Sequence, residues 1–92
     1  MQNIPRTVVA GNWKMHGSLQ TLTDYVNGLT QAFPQRSQPQ VVLFPPVGYL
    51  APLRSMLRNA KLEDKVLLGG QDLHAQSEGA FTGDTSGAML AD

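Results

Sequence analysis

The sequence has no cysteine among its 92 residues. Disulfides, zinc–thiolate sites and thiol nucleophiles are therefore excluded. Charge is also scarce: charged residues make up 15%, and seven Lys and Arg balance seven Asp and Glu. A neutral chain without a basic run argues against nucleic acid or an anionic membrane as partner. It also has little electrostatic protection against meeting copies of itself. The longest apolar runs are about four residues, far short of a membrane span. Met1 to Arg6 shows no signal-peptide pattern, so a cytoplasmic location is expected. What is present is 41% apolar residues, which fits one small globular domain rather than a disordered chain.

Strand and helix patterns alternate along the chain. Thr7 to Ala10 is short, apolar and β-branched, with Gly11 as its expected end. Ser18 is a helix N-cap candidate, and Leu19, Leu22, Val26, Leu29 and Phe33 follow at helical spacing. Gly28 weakens that helix modestly and Pro34 is its expected stop. Residues 36–40 read as a polar loop. Val41 to Phe44 is a continuous apolar run ended by Pro45 and Pro46, as in a strand covered on both faces. Leu50, Leu53 and Leu57 mark a second helix, which tolerates Pro52 only in its first turn. Arg54, Arg58 and Lys61 lie toward its C-terminal end, the side favoured by the helix dipole. Val66 to Leu68 is a third strand, ended by Gly69 and Gly70. Gln71 to Gly83 is a long polar loop, and Thr85 to Asp92 begins a third helix. Met15, Met56 and Met89 read as core fillers. Glu63, Asp64 and Lys65 read as a solvated turn.

This order implies an α/β fold with a parallel sheet and right-handed crossovers. Three parallel strands leave two exposed edges, and one uncovered face if all helices lie on the other side.

The chemistry-bearing residues follow the first strand. Strand alternation would put Asn12 and Lys14 on one face and Trp13 on the other. Ligands of α/β folds collect beyond the carboxyl ends of the strands. An amide and an ammonium aimed there suit an anionic, oxygen-rich small molecule. Spacing alone favours a surface lysine beside a turn asparagine, because Asn-X-Lys is a weak motif.

The longer strings are more specific. Ala10-Gly11-Asn12-Trp13-Lys14-Met15 resembles the first-strand signature of the triosephosphate isomerase family. Phe44-Pro45-Pro46 is similar to the end of that family's second strand, and Gly69-Gly70-Gln71-Asp72 to the end of its third. Gly79 to Ser86 resembles its third loop. The matches run in order from about Arg6 to Asp92. The resemblance implies the first three βα units of a (β/α)₈ TIM barrel, with the third helix truncated. Residues 1–92 would then be the N-terminal portion of an incomplete barrel domain.

The family's activity is the interconversion of dihydroxyacetone phosphate and glyceraldehyde 3-phosphate, in glycolysis and gluconeogenesis, without metal or cofactor. By resemblance, Asn12 lines the substrate site, and Lys14 stabilises the phosphate dianion and the developing enediolate. Trp13, Gln71, Phe81, Thr82 and Gly83 would belong to a subunit interface, with Thr82 near the tip of a loop that reaches the partner, Gln71 buttressing the base of that loop and Trp13 packing in the core or the interface. His16 and His74 match neither catalytic position. The family is a familiar worked case of a Glu base beside a neutral His electrophile. Both, and the later phosphate loops, belong to later strands, and such a barrel needs about 250 residues. Two readings follow. The chain is an isomerase segment, inactive alone and completed by the rest of its barrel, or it is a non-catalytic βα module that assembles with copies of itself. An unrelated phosphate-binding protein is disfavoured, because no Gly-rich phosphate loop follows a strand.

Overall fold

The computed structural model describes residues 7–33 and 40–92. Three parallel strands, β1 (Val8–Asn12), β2 (Gln40–Phe44) and β3 (Val66–Leu68), pair in the order β1-β2-β3. The helices are α1 (Leu19–Ala32), α2 (Leu50–Asn59) and the short α3 (Gly87–Ala91), with a 3₁₀ turn at Val47–Tyr49.

Local chemistry explains most boundaries. Ser18 is extended, and its Oγ accepts the Thr21 N–H at 3.0 Å, so it caps α1. Pro34 lies outside the described residues, as do 36–39 of the expected loop. Gln40 is not loop but the first residue of β2, paired with Val8. Nor does Gly11 end β1. It pairs with Leu43, and a Cβ there would come within 3.3 Å of the Leu43 side chain, so glycine lets the two strands run on together. Pro52 is the third residue of α2, in the first turn where its missing N–H costs nothing.

Helix α2 ends by wrapping its last carbonyls. The Leu62 N–H donates to Leu57 O at 2.8 Å, with Lys61 between them at φ 60° in the left-handed region. Helix α3 starts at Gly87 rather than Thr85, because the buried Ser86 is its cap and accepts the Met89 N–H at 3.1 Å.

The core is Leu22, Val26 and Phe33 from α1 and its end, Leu53 and Leu57 from α2, and Leu43, Leu62 and Val66 from the sheet side. Complete burial of each leucine contributes ~1.5–3 kcal/mol. Leu19 leaves the expected face and is 59% exposed. Helical side chains tilt toward the N-terminus, so the first residue of α1 projects past the packed part of the helix. Met56 packs against the core, but Met15 (92% exposed) and Met89 (58% exposed) do not. Met15 follows the strand end, and Met89 lines an open hollow between α2 and α3, so no layer covers them among the described residues.

Both long helices cover one side of the sheet. The register aligns Ala10, Val42 and Leu67 in a row on the opposite side, with Asn12 and Phe44 above them. Among the described residues nothing covers that side: Val8 and Leu67 are about half exposed. The continuous apolarity of β2 therefore meets packing on one face only. Among the described residues no helix is long and apolar enough to cross a membrane.

Candidate functional site

Strands β1, β2 and β3 all run in one direction, so their carboxyl ends meet at one edge of the sheet. Asn12, Phe44 and Gly69 lie there. Gly69 accommodates the Phe44 ring: a Cβ would sit 2.6 Å from Phe44 Cε1.

Strand β1 ends at Asn12, and the alternation expected to carry Lys14 onto the Asn12 face does not extend that far. Lys14 instead has φ 54°, a left-handed conformation that is strained for a residue with a Cβ. Such a conformation costs ~1–2 kcal/mol. Two hydrogen bonds, one local and one from the loop after β3, offset that cost, each worth about 1 kcal/mol net. The Lys14 N–H donates to Asn12 Oδ1 at 2.8 Å, and the Lys14 carbonyl accepts from Gln71 Nε2 at 2.8 Å. Asn12 therefore supports Lys14 through the backbone while sharing its region of the site. The Lys14 ammonium is exposed and forms no ion pair among the described residues.

Trp13 anchors the same turn. Its N–H donates to Phe44 O at 3.1 Å, and its ring packs against the core and tilts 5.4 Å from the Tyr25 ring. Beyond it, Gly17 has φ 137° and receives the Tyr49 hydroxyl on its carbonyl at 3.3 Å.

The loop after β3 is more ordered than its polar sequence suggested. The His74 ring stacks on Phe81 at 3.9 Å, its Nδ1 accepts the Gln76 N–H at 3.0 Å, and its Nε2 lies 4.0 Å from Asp84. The His74 N–H donates to Thr85 O at 2.8 Å and closes the loop. Phe81 also covers Gly79. Thr82 and Gly83 follow at the exposed tip, with Gly83 at φ 89°. Spacing alone does not signal the His74–Phe81 pair, since both residues sit in a stretch without period. His16 is exposed and not joined to this cluster. Among the described residues no group of acidic or histidine side chains could hold a metal ion.

The structure thus brings Asn12, Trp13, Lys14 and Gln71 together; Gly83 shares a smaller hollow of about 220 Å³ with Gln71, while Phe81 packs on His74 and Thr82 is exposed beside it. A hollow of about 880 Å³ lies elsewhere, between α2, the free edge of β3 and α3. It contains neither Asn12 nor Lys14. The hollow lies beside β3, whose outer edge has no strand neighbour among the described residues.

The family model for triosephosphate isomerase matches residues 7–92. The chain belongs to the triosephosphate isomerase family. Triosephosphate isomerases of Alkalilimnicola ehrlichii and Vibrio cholerae are 41% and 39% identical to it over 87 residues, each alignment covering 95% of the chain. That of Caulobacter vibrioides is 40% identical over 89 residues. The chain spans about a third of the length of these curated relatives. The parallel βα order corresponds to the first three units of a triosephosphate isomerase barrel.

Proposed function

We propose that this chain supplies the first-strand part of a triose phosphate isomerase site. Asn12 and Lys14 contact the substrate, and the exposed Lys14 ammonium stabilises both the phosphate dianion and the charge that builds on oxygen during proton abstraction. Proton abstraction beside a carbonyl creates negative charge, and a fixed cation in a water-poor pocket lowers that barrier. The observation that carries the reading is the strained, hydrogen-bonded seat of Lys14 at the carboxyl edge of the sheet. Backbone strain of this kind concentrates at functional sites.

The 92 residues alone lack a base and an electrophile in this reading, so proton transfer awaits further strands. No cofactor or metal takes part. The setting is the cytoplasm, and Trp13, Gln71, Phe81, Thr82 and Gly83 lie toward a partner subunit. The exposed tip at Thr82 and the ordered loop behind it support that placement.

The test is a chimaera in which this chain replaces the aligned third of the Vibrio cholerae relative. Turnover of dihydroxyacetone phosphate that disappears in Lys14→Met supports the reading. A folded chimaera whose turnover is indifferent to Lys14 refutes it. A second reading, self-association of the chain through its open sheet face, is favoured by the half-exposed Val8 and Leu67 on that face.

A further inference from the structure

Gln71 is exposed, yet its side-chain amide is committed twice. Nε2 donates to Lys14 O at 2.8 Å and to Phe44 O at 2.8 Å. Phe44 O also accepts the Trp13 N–H, so one carbonyl at the end of β2 receives both neighbours of the turn. Gln71 itself leaves the sheet three residues after Leu68, the last residue of β3. One primary amide, with two hydrogens and two acceptors, thus joins the exits of all three strands.

We propose that Gln71 is a positioning residue for Lys14: it holds the Lys14 carbonyl, and through it the left-handed backbone that aims the ammonium. This rests on the reading of Lys14 as the cationic substrate contact. The argument is one of degrees of freedom. Lys14 prefers to leave the left-handed region, and the Asn12 bond reaches only its N–H side. The carbonyl side is held by Gln71 alone among the described residues. Removing that donor frees the peptide after Lys14 to rotate, and the side chain moves with it. A misplacement of about 1 Å in a reacting group can cost about 100-fold in rate.

The test uses the chimaera described above and Gln71→Met, which keeps length and removes both N–H donors. The kcat is expected to fall about 10- to 100-fold with KM little changed, because the ammonium still attracts the dianion but no longer meets the transition state. In the Lys14→Met background, Gln71→Met should cost nothing further, since residues acting through one another are not additive. Equal losses in both backgrounds overturn the proposal. So does a lowered melting temperature with kcat intact, which marks a purely structural role. Two NMR measurements on the 92-residue chain are independent of activity. A long-range HNCO correlation should link the Gln71 side-chain amide to the Lys14 and Phe44 carbonyl carbons, and its absence overturns the proposal. The strong intraresidue HN–Hα NOE of a left-handed Lys14 should weaken in Gln71→Met, and its persistence overturns the proposal too. If that NOE weakens while Lys14→Met leaves turnover intact, the substrate role of Lys14 fails and the positioning role stands.

Discussion

Two lysines adopt the left-handed conformation, and they do so for different reasons. Lys61 stands where helices usually place glycine, between the Leu57 carbonyl and the Leu62 N–H that wraps back to it. Its Cβ contributes nothing to the wrap. Lys61→Gly is therefore expected to stabilise the chain by about 0.5–1 kcal/mol, measured by urea denaturation. A loss of stability would show that the lysine stem has a packing role. Lys14 accepts the same strain at the proposed site. In the chimaera, Lys14→Met should keep the fold and cost ~3–4 kcal/mol of transition-state stabilisation. Both kcat and KM should suffer, and Lys14→Arg should rescue only partly, since a planar fork does not reproduce a compact charge. Lys61→Met is the control and should leave turnover near normal.

At the scale of elements, α1 and α2 depend on different things. Helix α1 starts on polar contacts of Ser18, whose Oγ accepts the Thr21 N–H at 3.0 Å and lies 2.9 Å from Thr21 Oγ1. Ser18→Ala should destabilise the chain by about 1 kcal/mol in chemical denaturation, and Ser18→Asp much less. Helix α2 has no side-chain cap, so burial holds it. Leu53 is fully buried in the core cluster that includes Leu22 of α1 and Leu43 of β2, and Leu53→Ala should cost ~2–5 kcal/mol. A cost below that of Ser18→Ala would mean that the core collapses around the missing side chain. The strands were readable in the sequence as apolar runs, but their ends were not. Gln40 pairs because its N–H reaches the Thr7 carbonyl at 3.0 Å, and β1 runs through Gly11 because β2 continues beside it. Those are properties of the pair.

For the whole molecule, the one-sided core decides behaviour. Two strand edges and one apolar sheet face have no cover among the described residues. Edges of this kind invite pairing with another chain, and zero net charge does not oppose it. Expressed as these 92 residues, the protein is expected to sediment as an oligomer at low micromolar concentration. A compact monomer that unfolds cooperatively would contradict this. The same preparation, free of host isomerase, should show no saturable turnover of triose phosphates. Groups that transfer the proton contribute ~10²–10⁴-fold each, and Lys14 does not substitute for them.

The sequence by itself determined the α/β order, the helix faces, the Ser18 cap and the family, because periodicity, capping and motif strings are local. Only tertiary structure decided what lies at the strand ends. The backbone sign at Lys14, the double donation by Gln71 and the exposure of Met15 all arise where three strands arrive together. The separation between Gln71 and Lys14 along the chain is bridged by the parallel register, and no local pattern encodes it. The loop cluster of His74, Phe81 and Asp84 has the same origin. Its residues are read one by one as polar loop, and they become a structure only when the chain folds back so that Thr85 O meets the His74 N–H.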